Sequence, residues 1–427
     1  MERTLIKQAS QNIGKEVLIK GRVVNLRKLG AVVFASVQDY SGAVQTVWEG
    51  DFGAKMGDAV EIVGGARQDE RAKGGVEILG KEMKVVAGAI EEYPFDLSKP
   101  VLNLQLPTLL DSRALSLRHQ KVQAIFRLYD LALESYGQIM RQEGFIEIKT
   151  PKILEAASEG GANFFKIKYF NKNAYLAQSP QLYKQIMVGA FERVFEIGST
   201  FRAEPHFTTR HINEYISLDA EMGFIDSFYD VMDMINKILG KMVGRINEKG
   251  GEYLKAHNAN LPPVPEKIPH IKLAELKEAI KKKYKYEVPQ TTDLDPEGER
   301  LAGRWAQEEC SSEWLFVTHY PMAFRPFYTL SDKDNPEESD SFYLLFRGVE
   351  LATGSQRIHL YKDLVASMKK KKVKQDGLEF YLDVFKFAMP PHGGWGLGSE
   401  RFVQQILGLS SVKEATLFPR DVKRLSP

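Results

Sequence analysis

The stretch Glu196-Ile-Gly-Ser-Thr-Phe-Arg-Ala-Glu-Pro-His-Phe-Thr-Thr-Arg-His-Ile-Asn-Glu-Tyr-Ile-Ser-Leu-Asp-Ala-Glu-Met222 decides the fold of this chain. It predicts two strands, 194–197 and 215–222, joined by a long polar loop. The loop concentrates charged and titratable residues: Arg202, Glu204, His206, Arg210 and His211. Guanidinium groups suit phosphate oxygens, and a carboxylate accepts hydrogen bonds from an amine. The loop therefore favours a nucleoside triphosphate site, and the alternative is a solvated loop whose ion pairs contribute little.

The composition is that of an ordinary globular protein, with 427 residues of which 43% are hydrophobic and 27% charged. The length suits two or three domains. A net charge of +2 neither indicates nor excludes nucleic-acid binding. The single cysteine, Cys310, excludes an intramolecular disulfide, and the sequence shows neither an apolar leader nor an apolar run of membrane length. We therefore expect a cytoplasmic protein that does not associate with membranes.

The first hundred residues contain five short β-branched segments separated by glycine and aspartate. This pattern predicts a closed five-stranded barrel of the OB type within residues 1–92. Such barrels bind single-stranded nucleic acid by stacking bases on aromatic side chains. Phe34 and Gln45 are candidates for stacking and base-edge reading, and Arg27 and Lys28 for phosphate contacts. A core position is the alternative for Phe34.

Residues 93–118 contain prolines and little periodicity, which predicts a linker or hinge. An amphipathic helix is predicted over 120–143, and strands and helices then mix, so we expect an α+β domain over 119–427. The clearest later elements are two strands and a helix: 342–347, 349–353 and 399–407. The sequence has no Gly-Lys-Ser/Thr loop and no Gly-x-Gly-x-x-Gly turn, which argues against a P-loop or Rossmann nucleotide site.

Several segments resemble the class II aminoacyl-tRNA synthetases. Gly144-Phe-Ile-Glu-Ile-Lys-Thr-Pro151 is similar to motif 1, Phe201-Arg-Ala-Glu204 to motif 2, and Gly396-Leu-Gly-Ser-Glu-Arg401 to motif 3. The third motif is weak alone, but three in this order are specific. Gln178-Ser-Pro-Gln-Leu-Tyr-Lys-Gln185 and Arg347-Gly-Val-Glu-Leu-Ala-Thr-Gly-Ser-Gln-Arg357 narrow the resemblance to aspartyl enzymes of archaeal type. The resemblance covers essentially the whole chain and implies an antiparallel sheet flanked by helices, preceded by an anticodon-binding barrel.

The resemblance implies two reactions. Aspartate attacks the α-phosphorus of ATP, giving aspartyl-adenylate and pyrophosphate, and the aspartyl group then passes to tRNA(Asp). Mg²⁺ is the implied cofactor, ATP and L-aspartate are the small substrates, and a homodimer is the implied assembly. Neither step needs a protein nucleophile, so positioning and charge neutralisation are expected to carry the catalysis.

The resemblance also assigns roles to single residues. Arg202 is the expected catalytic residue, bridging the α-phosphate and the amino-acid carboxylate. The residues expected to contact aspartate are Glu159, Gln181, Lys184, Arg202, Asp219, Thr353 and Arg357. Those expected to contact ATP are Arg202, Ala203, Glu204, Arg210, His211, Ile212, Glu350, Gly398, Ser399, Glu400 and Arg401. The expected metal ligands are Glu350 and Thr353, the latter where archaeal relatives usually carry serine. The expected anticodon contacts are Arg27, Phe34 and Gln45.

Several alternatives stay open. An asparaginyl enzyme would share the motifs, but Lys184 and Arg357 favour a carboxylate side chain over an amide. A non-catalytic tRNA-binding paralogue is disfavoured by the intact Arg202, and a paralogue that makes free asparagine is disfavoured by the barrel. Charging of tRNA(Asn) in addition to tRNA(Asp) also stays open, because Val24 resembles relaxed enzymes whereas Lys73 resembles strict ones.

Overall fold

The computed structural model describes residues 1–72, 74–155, 164–205, 208–289 and 293–426. The chain divides into two units, Met1–Gln120 and Lys121–Pro427. Residues 93–118, predicted as a linker, fall within the first unit and contain two short helices, α1 (Leu106–Asp111) and α2 (Arg113–Ser116).

The first unit is built around a closed five-stranded barrel, which confirms the predicted OB-type architecture. A 3₁₀ helix, Ile6–Asn12, precedes the strands β1 (Glu16–Leu29), β2 (Val32–Asp39), β3 (Gly42–Glu49), β4 (Ala59–Gln68) and β5 (Val76–Ala87). The barrel order is β1-β2-β3-β5-β4, and β4 pairs antiparallel with β1 to close it. Buried and partly exposed residues alternate along β2 and β4, so one face of each strand fills the barrel core.

In the second unit, the helix predicted over 120–143 is confirmed as α3 (Gln120–Gln142), which ends one residue earlier. The α-helices are α3 (Gln120–Gln142), α4 (Gln181–Phe191), α5 (Phe228–Lys249), α6 (Gly251–Ala256), α7 (Leu273–Tyr284), α8 (Pro296–Cys310), α9 (Tyr361–Lys370), α10 (Glu379–Phe385) and α11 (Ser399–Leu407). Two 3₁₀ helices are Met322–Phe324 and Val412–Ala415. Among the described residues, no helix is both long and apolar enough to cross a membrane.

An eight-stranded sheet forms the centre of the second unit. Its strands and those of a smaller sheet are β6 (Ile146–Glu147), β7 (Ile153–Leu154), β8 (Lys166–Tyr169), β9 (Lys172–Leu176), β10 (Arg193–Phe201), β11 (Glu214–Gly223), β12 (His270–Lys272), β13 (Trp314–Thr318), β14 (Ser341–Phe346), β15 (Val349–Gln356) and β16 (His392–Gly398). The large sheet runs β12-β13-β14-β15-β16-β11-β10-β6, and the small one β7-β9-β8. The pairs between β13 and β10 are antiparallel, as predicted, whereas both edge strands pair in parallel.

One face of the large sheet is covered by α3 and α5. Leu128 of α3 and Leu239 of α5 are fully buried in the same apolar cluster as Phe195, Leu218 and Trp395 of the sheet. Both helices carry apolar residues at helical spacing, so each presents one stripe to the sheet. Burying this stripe removes apolar area from water and holds the central strands in place. Polar side chains are therefore left for the opposite face.

Candidate functional site

The floor of the site is a row of glycines in β16. The register places three of these glycines opposite a polar residue of β11: Gly394 opposite Glu221, Gly396 opposite Asp219, and Gly398 opposite Ser217. Alternate residues of a strand share a face, so these polar side chains stand together on one face of the sheet. A side chain at Gly396 would place its Cβ 3.2 Å from Asp219 Oδ1. The glycine therefore leaves that carboxylate room.

A cavity of about 420 Å³ opens above this floor. It brings together most of the predicted substrate residues: Gln181, Lys184, Arg202, Glu204, Arg210, His211, Ile212, Asp219, Glu350, Thr353, Arg357, Gly398, Glu400 and Arg401. Ala203 and Ser399, both within the described residues, lie outside its lining. Arg325 and Tyr343 line it without having been predicted from the sequence.

One end of the cavity holds four buried charges, here called the charge quartet: Lys184, Asp219, Glu221 and Arg357. Each is at most 5% exposed. Lys184 Nζ lies 2.9 Å from Asp219 Oδ1 and 3.3 Å from Glu221 Oε2. Arg357 donates to both oxygens of Glu221, from Nε at 2.7 Å and from Nη2 at 3.2 Å. Glu221 therefore joins the two cations, and the four formal charges cancel.

Glu221 was missed by the sequence analysis, although it stands two residues after Asp219 on the same strand face. Burial by itself would raise the pKa of Glu221, but Arg357 and Lys184 hold it below the usual range. The Asp219 carboxylate is hydrogen-bonded through Oδ1 to Lys184. Its second oxygen, Oδ2, is buried and has no hydrogen-bond partner among the described residues. Asp219 lines the cavity, so Oδ2 is an acceptor available to a ligand that carries hydrogen-bond donors.

The other end of the cavity is formed by the loop between β10 and β11, and it is open to solvent. The Arg202 side chain is 44% exposed, and its guanidinium lies 5.6 Å from the centre of the Tyr215 ring. Glu204 lies between Arg202 and His211, 4.0 Å from Arg202 Nη1 and 3.5 Å from His211 Nε2. The Asn213 side chain donates to the backbone oxygens of Arg202 and Glu204. The base of the loop is thus fixed, while its charged groups meet in contacts weak enough to exchange for a ligand.

Arg210 pairs with an acid that the sequence analysis did not identify. Its Nη1 donates to Glu299 Oε2 at 3.0 Å, and the same oxygen accepts from the Glu350 backbone N–H at 3.3 Å. Burial, followed by the nearby Glu350 carboxylate, raises the pKa of Glu299 to about 7. Glu299 belongs to α8, 89 positions from Arg210, so no local pattern connects the two.

The predicted metal ligands contact each other at the cavity wall. Thr353 Oγ1 donates to Glu350 Oε1 at 2.6 Å. Arg401 Nη1 donates to the Glu350 backbone oxygen at 2.7 Å and lies 3.8 Å from its carboxylate. One carboxylate and one hydroxyl form the hard-oxygen set that suits Mg²⁺ when phosphate oxygens and water complete the coordination. The donor chemistry of this pair therefore fits Mg²⁺.

The first two residues of α11 fasten this helix to β11. Ser399 Oγ lies 2.8 Å from Tyr129 Oη and 2.9 Å from the Ile216 backbone oxygen. Both carboxylate oxygens of Glu400 lie close to the Ile216 N–H, at 3.0 and 3.2 Å. Burial raises the pKa of Glu400 to about 7. Both side chains were predicted as ATP contacts; Glu400 lines the cavity, and Ser399 lies outside its lining.

The predicted anticodon residues lie on the outer face of the barrel in the first unit. Phe34 is half-buried and stands outside the barrel core formed by described residues, with the Arg27 guanidinium 5.1 Å from its ring centre. Gln45 Nε2 donates to Glu77 Oε2 at 3.1 Å. Lys28 is exposed. The aromatic ring and the basic groups are thus accessible on one strand pair, β1 and β2.

The contacts described above do not include four of the residues discussed from the sequence. Lys73, Glu159 and His206 lie outside the described residues. Val24 is half-buried on β1. Their suggested roles in tRNA choice, ammonium binding and triphosphate binding therefore stay predictions.

Comparison with known proteins places the chain among synthetases along its full length. It is 42% identical to the aspartate–tRNA(Asp/Asn) ligase of Deinococcus radiodurans over 432 residues, covering 100% of this chain and 99% of the relative. It is 41% identical to the enzyme of the same name from Thermus thermophilus over 425 residues, covering 100% of both. Both comparisons therefore cover the unit that contains the barrel and the unit that contains the cavity.

The fold leads to the same group of proteins. The asparaginyl-tRNA synthetase of Pyrococcus horikoshii in complex with asparaginyl-adenylate matches with a TM-score of 0.93 at 28% identity, covering 100% of both chains. An aspartyl-tRNA synthetase, described as putative, from Leishmania major matches with a TM-score of 0.89 at 29% identity, covering 100% of this chain and 96% of that one. The profile of the family "tRNA synthetases class II (D, K and N)" matches residues 105–422. The chain therefore belongs to the class II tRNA synthetases of the D, K and N group.

Proposed function

We propose that this protein is an aspartate–tRNA ligase, which forms aspartyl-adenylate from L-aspartate and ATP and transfers the aspartyl group to tRNA(Asp). The charge quartet carries the proposal. Aspartate brings one ammonium and two carboxylates. Lys184 and Arg357 offer cations to the side-chain carboxylate, and Asp219 Oδ2, buried without a partner among the described residues, offers an acceptor to the ammonium. The quartet thereby offers cationic donors to one end of this substrate and an anionic acceptor to its ammonium.

Asparagine is the second candidate substrate, because an asparaginyl enzyme is among the matching structures. The quartet disfavours it. Lysine and arginine carry donors but no acceptor, so the NH₂ of an amide would face donors on Lys184 and Arg357. A carboxylate instead forms charge-assisted bonds, which are about twice as strong as neutral ones. The geometry therefore supports aspartate.

In the proposed first step Arg202 draws the α-phosphate and the amino-acid carboxylate together. Its exposed guanidinium belongs to the loop between β10 and β11 and lines the cavity together with Lys184 and Arg357. Glu204 would accept from the adenine amine, while Arg210, His211 and Arg401 would face the phosphates. The carboxylate of aspartate is itself the nucleophile, so these residues act by orientation and by neutralising the charge of the transition state.

Mg²⁺ is part of the proposal. Glu350 and Thr353 would hold it through their oxygens, and a bound Mg²⁺ would neutralise phosphate charge during the displacement. Arg401 donates to the Glu350 backbone oxygen at 2.7 Å and Thr353 Oγ1 to its carboxylate at 2.6 Å, so the carboxylate is oriented before the nucleotide arrives.

The barrel is proposed to read tRNA. Residues 1–92 would bind the anticodon through Arg27, Phe34 and Gln45, residues 93–118 would act as a hinge, and 119–427 would carry the catalysis. Charging of tRNA(Asn) as well is supported by the two relatives named for both tRNAs. The cytoplasmic location predicted from the sequence is retained as part of this proposal.

A homodimer is also proposed. The segment that resembles motif 1 forms β6 at the edge of the large sheet, and the Ile146 side chain in it is exposed. An edge strand that exposes an apolar side chain is a surface that a second copy would cover. Light scattering on the purified chain tests this, and a monomer at micromolar concentration would exclude it.

Pyrophosphate exchange with each amino acid tests the function directly. We expect exchange that depends on aspartate and ATP, with asparagine far weaker. Exchange that requires asparagine and ignores aspartate would establish the second candidate. Charging of purified tRNA(Asp) and tRNA(Asn) with labelled aspartate then decides whether one or both tRNAs are substrates.

A further inference from the structure

A chain of buried hydrogen bonds, here called the amide relay, runs from the charge quartet to the backbone behind it. Arg357 Nη2 donates to Gln181 Oε1 at 3.3 Å, and Gln181 Nε2 donates to Gln185 Oε1 at 3.0 Å. Gln185 Nε2 then donates to His392 Nε2 at 3.0 Å, and His392 Nδ1 donates to the Pro390 backbone oxygen at 2.8 Å. The four side chains of the relay are each at most 7% exposed, and Gln185 and His392 are fully buried.

The direction of every bond in the relay follows from its two ends. Arginine has only donors, and a backbone carbonyl has only acceptors. A flipped Gln181 would turn its NH₂ toward Arg357, and a flipped Gln185 would turn its NH₂ toward the NH₂ of Gln181. Either flip replaces one hydrogen bond by a donor–donor contact and another by an acceptor–acceptor contact in a buried region, where an unmade bond costs about 1–3 kcal/mol.

The protonation of His392 fits the same direction of hydrogen bonds. Burial lowers the pKa of His392 to about 4, so the ring is neutral at pH 7 and carries one proton. Pro390 offers only an acceptor to Nδ1, so the proton resides there and Nε2 is an acceptor for Gln185. Tyr381 Oη also donates to Gln185 Oε1, at 3.3 Å. The Gln185 amide is therefore held by three side chains at once.

We propose that Gln185 and His392 are positioning residues, which hold Gln181 with its carbonyl oxygen toward the cavity and thereby make the pocket selective for a substrate ammonium group. Gln181 and Asp219 both line the cavity, so Oε1 of one and Oδ2 of the other present two acceptors to the three donors of an ammonium. Neither Gln185 nor His392 belongs to the lining among the described residues. They act through Gln181, and the inference rests on the proposed activation of an amino acid.

Gln185→Met is the first test, since methionine keeps the length of the side chain and removes both amide groups. In aspartate-dependent pyrophosphate exchange by the full chain, we expect the KM for aspartate to rise at least tenfold, while the KM for ATP stays within twofold. Succinate, which is aspartate without its ammonium, serves as a competitive inhibitor. Its inhibition constant should stay within twofold, because the relay acts on the group that succinate lacks.

A matched control is Asn236→Leu. Asn236 is a buried amide on α5 that donates to the Pro265 oxygen at 3.1 Å and accepts from the Ile268 N–H at 2.8 Å. Its loss should lower the melting temperature and leave the KM for aspartate within twofold. A tenfold rise in this control would show that any buried amide has the same effect, and the proposal would fail.

His392 supplies a rescue test. His392→Leu removes both ring nitrogens and should raise the KM for aspartate as Gln185→Met does. His392→Gln keeps one donor and one acceptor with a spacing similar to the ring nitrogens, and should bring the KM back to within threefold of the wild-type value. An equal rise in the KM for aspartate in both His392 variants would overturn the relay.

The outcomes separate the relay from the proposed function. An unchanged KM for aspartate in Gln185→Met, or an equal rise in the succinate constant, would overturn the relay while the wild-type enzyme still activates aspartate. If the wild-type enzyme instead requires asparagine, the proposed function fails, and the same comparison with asparagine and succinamate tests the relay. If no amino acid supports exchange, both proposals fail.

Discussion

The two ends of the cavity hold similar charged groups in opposite environments. At the closed end, Lys184 and Glu221 are almost fully buried and lie 3.3 Å apart. At the open end, Arg202 is 44% exposed and lies 4.0 Å from Glu204. A buried pair loses hydration on folding and must keep its partners, whereas an exposed pair contributes at most about 1 kcal/mol and can exchange.

This difference suits the proposed substrates. An amino acid is small, and its recognition depends on charges fixed before it binds. A triphosphate carries its own charge and its metal, so the residues that meet it have to leave their resting partners. The closed end therefore provides selectivity, and the open end provides groups that re-pair during the reaction. The predictions below change one end at a time.

The largest effect is expected from Arg202→Ala at the open end. An arginine that stabilises a phosphoryl-transfer transition state is worth ~10³–10⁵ in rate, so aspartate-dependent pyrophosphate exchange should fall at least ~10³-fold. The melting temperature should hardly change, because the contact to Glu204 is exposed. Arg300→Ala, which removes an exposed arginine paired with Glu297 on α8, is the control and should leave both quantities unchanged. Exchange within about tenfold of wild type would contradict the role of Arg202.

Glu221→Gln at the closed end should instead act mainly on stability. Removing one partner of a buried ion pair costs ~3–5 kcal/mol, because the remaining charge is left unpaired, here on Arg357. Chemical denaturation followed by tryptophan fluorescence measures it, since Trp395 is buried beside the site. Glu297→Gln removes an exposed carboxylate and should cost less than about 1 kcal/mol. Equal losses of unfolding free energy in the two variants would contradict the proposed difference between buried and exposed ion pairs.

Glu400 predicts a pH dependence of stability of about 2 kcal/mol. Burial raises its pKa from 4.5 to about 7, so between these values the folded state binds a proton that the unfolded state releases. Stability should therefore decrease as pH rises from about 5 to 7 and level off above about 8. Glu400→Gln, which stays neutral, should lack this component when thermal melts are compared across the window. If the difference in melting temperature between wild type and Glu400→Gln does not change with pH, the pH dependence does not come from Glu400.

The sequence analysis agreed with the structure where the informative residues are neighbours in the chain. The strands 194–197 and 215–222 fall within β10 and β11, and the spacing of Gln181 and Lys184 places them on one helix face. Strand ends are less visible in the sequence: β1 runs to Leu29, beyond the β-branched residues at its start, because pairing with β2 continues to Val32. Ladder hydrogen bonds to a partner strand extended this element beyond its apolar pattern.

The residues that were missed are those whose partners come from distant segments. Glu299 reaches Arg210 from α8, and His392 reaches Gln185 across 207 positions. A lone glutamate on a helix or a lone histidine before a glycine run gives no local sign of such a partner. Glu221 is different, because its strand position matches that of Asp219 and the two-residue period could have identified it. Tertiary contact, rather than residue type, determines what these side chains do.

The smallest effect is expected from Glu299→Gln at the open end. Arg210 must leave Glu299 to reach the phosphates, and the amide holds the guanidinium less strongly than the carboxylate, so the KM for ATP should fall by about threefold, roughly 0.6 kcal/mol. The KM for aspartate should not change. Because burial raises the pKa of Glu299 to about 7, the wild-type KM for ATP should rise between pH 6.5 and 8 as this carboxylate ionises, and the variant should lack that rise. A higher KM for ATP in the variant would instead make Glu299 a group that the nucleotide or its metal requires, and the exchange of partners at the open end would lose its support.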